Sequence, residues 1–243
     1  MQKWPFLVSL LIITLLLNWG YAQLPVGKYV GNNGGSTLTI TEKRHRQYFE
    51  VDILGANSHS CYADGYIRDA DMIHNNEQIG VVIHEDTSDQ CLLSFKMQGH
   101  QLRLDVLSEQ YSEACQQYCG ARAFLFGEFK IPPTYCTHNN IQKERNRFKQ
   151  FYDQKRYADA ENILNKVLTQ CDFYLDFILK DSIRSDLALT LYHQQQPELC
   201  LEVLAPTIAL NEEVYLPPSD AETYATTEKG ILFNYNLCQK AIR

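Results

Sequence analysis

The sequence lacks most of the signatures that assign a reaction. None of its eight cysteines forms a C-x-x-C pair, which disfavours thioredoxin-like chemistry and most zinc knuckles. It has no G-x-S-x-G elbow, no G-K-[ST] phosphate loop, no H-E-x-x-H helix and no Gly-rich dinucleotide turn. Each of those places a nucleophile, a metal or a phosphate through a specific backbone geometry. Positive charge is scarce: 22 Lys and Arg stand against 29 Asp and Glu, a net of -7. That balance argues against a phosphate-binding surface, and so against nucleic acid as the partner. Low-complexity runs are also missing, and 45% of the residues are hydrophobic, enough to bury substantial cores. These absences leave class and compartment readable but name no reaction. The expectation is a non-enzyme with no cofactor and no metal.

What is present begins with a leader. Lys3 is followed by the apolar run Phe6–Leu17, broken only by Ser9 and Thr14. The run is well short of the ~20 residues that span a bilayer, and no basic stop-transfer cluster follows it. Gly20 and Ala22 suit the small-residue positions before a cut, so residues 1–22 read as a secretory signal peptide and Gln23 as the mature start. No cysteine lies near the cut to carry a lipid anchor. Export puts the cysteines in oxidising surroundings, where disulfides are their default state. No N-x-S/T sequon follows the leader. The expected location is therefore periplasmic or secreted, with a bacterial leaning.

The hydrophobic period changes near residue 138. Before it, short alternating segments occur at Gly27–Gly31, Thr37–Thr41, Tyr48–Leu54, Ser60–Ile67, Gln78–His84, Gln90–Met97, Gln101–Val106 and Ala123–Phe129. The connections are too short for the helices that a parallel sheet needs. This half, residues 23–138, reads as a small antiparallel β-barrel or sandwich. After it, apolar residues recur every three or four positions from Arg147 to Thr169, Tyr174 to His193, Glu198 to Leu204 and Ala221 to Ile242. Turns interrupt at Asp153–Tyr157 and Gln194–Pro197. Residues 139–243 read as an all-α domain.

The motif F-x-x-F-Y-x-x-x-x-Y-x-x-A at Phe148–Ala160, followed by D-L-A-x-x-x-Y at Asp186–Tyr192, resembles the tetratricopeptide (TPR) repeat. The resemblance implies helix pairs in which Ala160 and Cys200 open the second helix of each pair. The two positions are 40 apart, where that family repeats every ~34 residues, and no proline closes the first unit. In the first half, Gly27–Tyr29, Cys61–Gly65 and Cys119–Gly120 followed by Phe126–Gly127 resemble small secreted bacterial β-domains with disulfides, lysozyme inhibitors among them. No inhibitory loop motif carries over.

The eight cysteines, Cys61, Cys91, Cys115, Cys119, Cys136, Cys171, Cys200 and Cys238, read as disulfide staples. The preferred pairing is 61–91, 115–119, 136–171 and 200–238. Cys115 or Cys119 with Cys136 competes, because a four-residue spacing on a regular helix suits a bridge poorly. The 136–171 bridge would pin the two domains together. A thiol site of Cys119 with His138 needs a depressed thiol pKa, and a metal site could draw on His59, Cys61, His74 and His84. Both are weaker readings than structural bridges. Asp64, Asp69, Asp71 and Glu77 read as a solvated acidic rim. Fifteen tyrosines offer apolar area with a polar tip. Tyr62, Tyr66, Tyr111 and Tyr118 are the candidates for protein binding, joined by Lys143 and Arg147 in the one basic run. The expected function is a secreted or periplasmic protein-binding accessory protein with an envelope or exported protein as partner. An inhibitor or immunity protein against a cell-wall hydrolase or exported toxin, and an envelope hydrolase, are the alternatives.

Overall fold

A computed structural model describes residues 23–68, 77–83 and 90–242. Residues 1–22, read from the sequence as a signal peptide, lie outside the described residues, as do His74, His84, Asp69 and Asp71. The first half is a barrel. Its strands are β1 (Gly27–Gly31), β2 (Thr37–Lys43), β3 (Arg46–Leu54), β4 (Ser60–Ile67), β5 (Gln78–Val82), β6 (Leu92–Gln98), β7 (Gln101–Val106) and β8 (Gly127–Lys130). They pair antiparallel in chain order, and β8 closes on β1. Closure removes the free edges that a sandwich would leave. A short helix, α1 (Ser112–Gln116), sits between β7 and β8.

Alternation sets the inside. Phe49, Val51 and Ile53 on β3 face Leu38 and Ile40 on β2 and Ala63 on β4, all buried. The Phe49 and Phe95 rings meet at the centre, 5.1 Å apart. They lie against Gly65 and Gly80, where a Cβ would overlap the rings. Eight strands enclose just enough room for side chains to fill, and here they do. At one end Gln47 exchanges two hydrogen bonds with the Leu24 backbone, at 2.6 and 3.1 Å. At the other, Ala123 and Leu125 turn inward as a plug.

The last strand is shorter than the alternation suggests. Expected over Ala123–Phe129, it starts at Gly127. The Phe126 N–H donates to the Phe124 carbonyl at 2.9 Å, a three-residue turn of the kind found at strand ends.

Two of the expected bridges are also exchanged. The structure pairs Cys61 with Cys119 and Cys91 with Cys115, not 61 with 91 and 115 with 119. The reason is register. β5 covers only the Gly65–Ile67 end of β4, and Cys91 meets Val82 at that end. Cys61 is four residues away along β4, ~13 Å at strand rise, beyond the reach of a disulfide. Tyr118–Gly120 fills the uncovered stretch of β4 instead. Tyr62 N–H donates to the Tyr118 carbonyl and Gly120 N–H to the Ser60 carbonyl, at 3.0 and 2.8 Å.

The second half holds α2 (His138–Asp153), α3 (Tyr157–Cys171), α4 (Phe177–His193), α5 (Pro197–Leu204) and α6 (Pro218–Ile242). Two helix pairs, α2–α3 and α4–α5, share one turn. Lys155 and Gln195 both adopt left-handed backbone, with φ of 60° and 61°. The following N–H groups, of Arg156 and Gln196, return to the Phe151 and Leu191 carbonyls at 2.9 and 3.0 Å. Ala160 and Cys200, 40 residues apart, are fully buried at equivalent places. The Cys136–Cys171 and Cys200–Cys238 bridges are present. Cys136 and Cys171 both lie in the helical core, so their bridge closes the first helix pair and does not pin the domains together.

The halves meet elsewhere. Asn33 N–H donates to the Phe173 carbonyl at 3.2 Å, and Lys130 stands 4.2 Å over the Phe173 ring. Asn57, with φ of 58°, reaches the start of α6. Its Oδ1 accepts from Ser219 N–H at 3.0 Å, and its own N–H donates to Asp220 at 2.8 Å. The barrel thus caps the first turn of α6, satisfying a donor the helix cannot satisfy itself. No helix among the described residues is long and apolar enough to cross a membrane.

Candidate functional site: a strip on the barrel wall

The filled interior moves attention to the barrel's outer face. β3 and β4 pair from Tyr48–Tyr66 down to Leu54–Ser60. Residues that alternate with the core residues point outward: Tyr48, Glu50, Asp52 and Leu54 on β3, then Tyr62, Asp64 and Tyr66 on β4. The register sets Glu50 directly opposite Asp64 and Asp52 opposite Tyr62. On β2 the neighbours are neutral threonines, Thr37 opposite Asp52 and Thr39 opposite Glu50. None of the three carboxylates has an ion-pair partner among the described residues. Desolvation, then the Glu50, Asp64 and Asp52 charges, hold the Tyr62 phenol above its ordinary range. Arg46 stacks over Tyr66 at the far end of the strip, 5.2 Å from the ring.

At its near end the strip reaches an apolar corner. Leu54 is 57% exposed, Phe124 50% and Phe126 58%. The two phenylalanine rings stack 5.9 Å apart. They follow from the plug: Ala123 and Leu125 turn in, so their neighbours turn out. Between Leu54 and the rings lies a cleft of about 490 Å³ that also takes in Arg103, Arg122, Asp105 and Glu128. A second cleft of about 260 Å³ flanks the rings on the side of Ser108 and Glu109. The corner is firmly held. Cys119 is bonded to Cys61, Ala56 N–H donates to the Arg122 carbonyl at 3.2 Å, and Gly55 leaves no room for a Cβ against Ala123.

The candidates read from sequence divide. Tyr62 and Tyr66 stand on the strip. Tyr111 and Tyr118 pack against the barrel core. Asp64 belongs to the strip and not to a turn rim, whereas Glu77 pairs with Lys96 at 3.1 Å and accepts from Ser94 at 2.7 Å. Lys143 is exposed on α2. Arg147 pairs with Glu144 at 2.8 Å, and Arg145 binds Asp186 and Ser182 at 3.2 and 3.1 Å. Part of the basic run is therefore tied to its own surroundings. Cys119 and Cys61 are in a disulfide, so neither the thiol site nor the metal site retains its cysteine. No group of three His, Cys, Asp or Glu side chains among the described residues could hold a metal.

The sequence reading missed Glu50, Asp52, Leu54, Phe124 and Phe126. Alternation marks all five as outward, but it does not show that two separate segments share one face.

The helical half has its own groove of about 410 Å³ between α2 and α4, lined by Arg145, Lys149, Tyr152, Asp186 and Leu189 among others. Burial raises the Asp186 carboxyl pKa against the opposing pull of Arg145. The groove is mixed in character and has no exposed aromatic ridge.

No protein-family model matches the chain, and neither a curated protein nor a solved structure gives a significant match.

Proposed function

We propose that this chain is an exported, protein-docking accessory protein that engages an envelope or exported partner through the Leu54–Phe124–Phe126 corner. The observation that carries the reading is the ridge itself: two stacked, half-exposed phenylalanines between two clefts, held by a disulfide and a glycine contact. Rigid aromatic side chains that need no reordering are what strong protein interfaces use as anchors. Among the described residues side chains fill the barrel interior, which favours a macromolecule on its surface over a small ligand inside. Four disulfides with every cysteine bonded support an oxidising destination.

The helical half is read as TPR-like on the strength of its two equivalent turns and its small residues at Ala160 and Cys200. In this reading it acts as a rigid arm beside the corner. A hydrolase would need an acid, base or nucleophile converging in a cleft. The larger cleft holds two carboxylates, Asp105 and Glu128, but Asp105 is paired with Arg103 at 3.3 Å and the exposed phenylalanine ridge borders the cleft, so docking fits it better.

The test is the double variant Phe124→Ser/Phe126→Ser, immobilised in the oxidised state beside the unaltered protein and exposed to the same native envelope extract. The reading expects a partner retained at near-equal amount by the unaltered chain and lost by the variant, with unchanged circular dichroism. Equal retention by both would contradict it.

A further inference from the structure

Resting on that docking reading, we propose that the β3–β4 wall is the recognition surface for a cationic protein face, which it steers onto the Phe124–Phe126 corner. Like charges directly opposite each other across an antiparallel ladder are unfavourable. The barrel carries such a pair at Glu50 and Asp64, with Asp52 on the next outward-facing pair. Elsewhere, on β6 and β7, the same barrel neutralises its charges. There Lys96 pairs with Glu77 and Arg103 with Asp105, at 3.1 and 3.3 Å. The β3–β4 wall keeps three carboxylates, Glu50, Asp52 and Asp64, without an ion-pair partner among the described residues, and this wall ends at the exposed corner.

The chemistry of the occupant follows from three features. The carboxylates are spread over a flat ladder and do not converge as a metal cage does. They suit several separate ammonium or guanidinium groups on one face. Tyr62, half-exposed beside Asp52, adds an aromatic surface on which a lysine stem or an arginine can lie. Leu54 continues the β3 row into the cleft, so a partner seated on the charges reaches the phenylalanines without changing face. Complementary charge of this kind raises the association rate and fixes orientation, while the apolar corner lowers the dissociation rate.

The experiment uses the whole oxidised chain with cytochrome c, a small lysine-rich protein, as the probe. Zero-length carbodiimide coupling at low salt should link its lysines to Glu50, Asp52 or Asp64, as read by peptide mass spectrometry. The variant Glu50→Gln/Asp52→Asn/Asp64→Asn should bind about tenfold more weakly, and the charge-matched Glu198→Gln/Glu212→Gln/Glu213→Gln less than about twofold. Equal weakening in both variants would reduce the effect to net charge and overturn the proposal. So would links scattered over the helical half, or unchanged binding by the wall variant. Calcium chloride alone is titrated in parallel, and saturable calcium binding lost in the wall variant would assign the carboxylates to a metal and also overturn it. The docking reading fails separately, through the phenylalanine variant, so the two outcomes are distinguishable.

Discussion

Gly80 and Gly65 decide whether the barrel is a container or a solid body. Each stands where a Cβ would enter the Phe49–Phe95 pair. Gly80→Ala should therefore destabilise by about 1–3 kcal/mol through overpacking, read as a lower urea midpoint with an unchanged slope. In the helical half, Asp181 is buried and accepts from the Tyr224 hydroxyl, the Ile208 N–H and Arg184, at 2.7, 2.9 and 3.1 Å. Asp181→Ala leaves those donors without an acceptor and should cost roughly 3 kcal/mol or more, measured by the same unfolding curve.

Asp186 gives a pH signature. Its pKa is raised in the folded chain, chiefly by burial, so the folded state holds this proton more tightly than the unfolded state does. The resulting stability is present at low pH and is lost as pH rises from the ordinary aspartate range through the folded value. Asp186→Asn should remove that fall, and unfolding midpoints across the acid range check it.

At the scale of the element, the sequence was legible wherever information is local. Alternation placed the barrel strands because inward and outward residues differ in kind. The turns at Gln154–Arg156 and Gln194–Gln196 showed as breaks in helical period. Pairings between distant segments were not legible. Alternation put Cys61 on the inner face, but only register showed that Tyr118–Gly120, and not the strand leading from Cys91, lies beside it. The local turn at Phe124–Phe126 carries no glycine or proline, so no residue type in the sequence marks the end of the strand there. The bridges themselves should rank by the length of chain they close. Removing Cys61–Cys119, with a separation of 58 residues, should cost more than removing Cys91–Cys115, with 24. The loop-entropy values are about 4 and about 3 kcal/mol. Paired Cys→Ser variants compared by thermal unfolding test the order.

For the whole molecule, the two halves are joined by contacts that complete each one's structure. The barrel caps α6 through Asn57, and the turn at Asn33–Gly34 packs on residues 173–176, where Gly34 admits no Cβ. Asn57→Gly keeps the left-handed backbone and removes only the side chain. Losing the hydrogen bond from Ser219 N–H should cost about 1 kcal/mol and increase amide exchange in the first turn of α6 before that of the barrel. The shared interface fixes where the corner sits relative to the helical arm, so the proposed partner would meet one surface and not two independent modules.

That surface is the centre of the account. Its most direct test is in-cell photo-cross-linking in the native host, with a benzophenone side chain placed at Phe126 or, as the control, at exposed Leu199 on α5. The account predicts one discrete adduct from position 126, abolished when Glu50, Asp52 and Asp64 are neutralised, and none from position 199. The same adduct from both positions, or an adduct from position 199 alone, would contradict it.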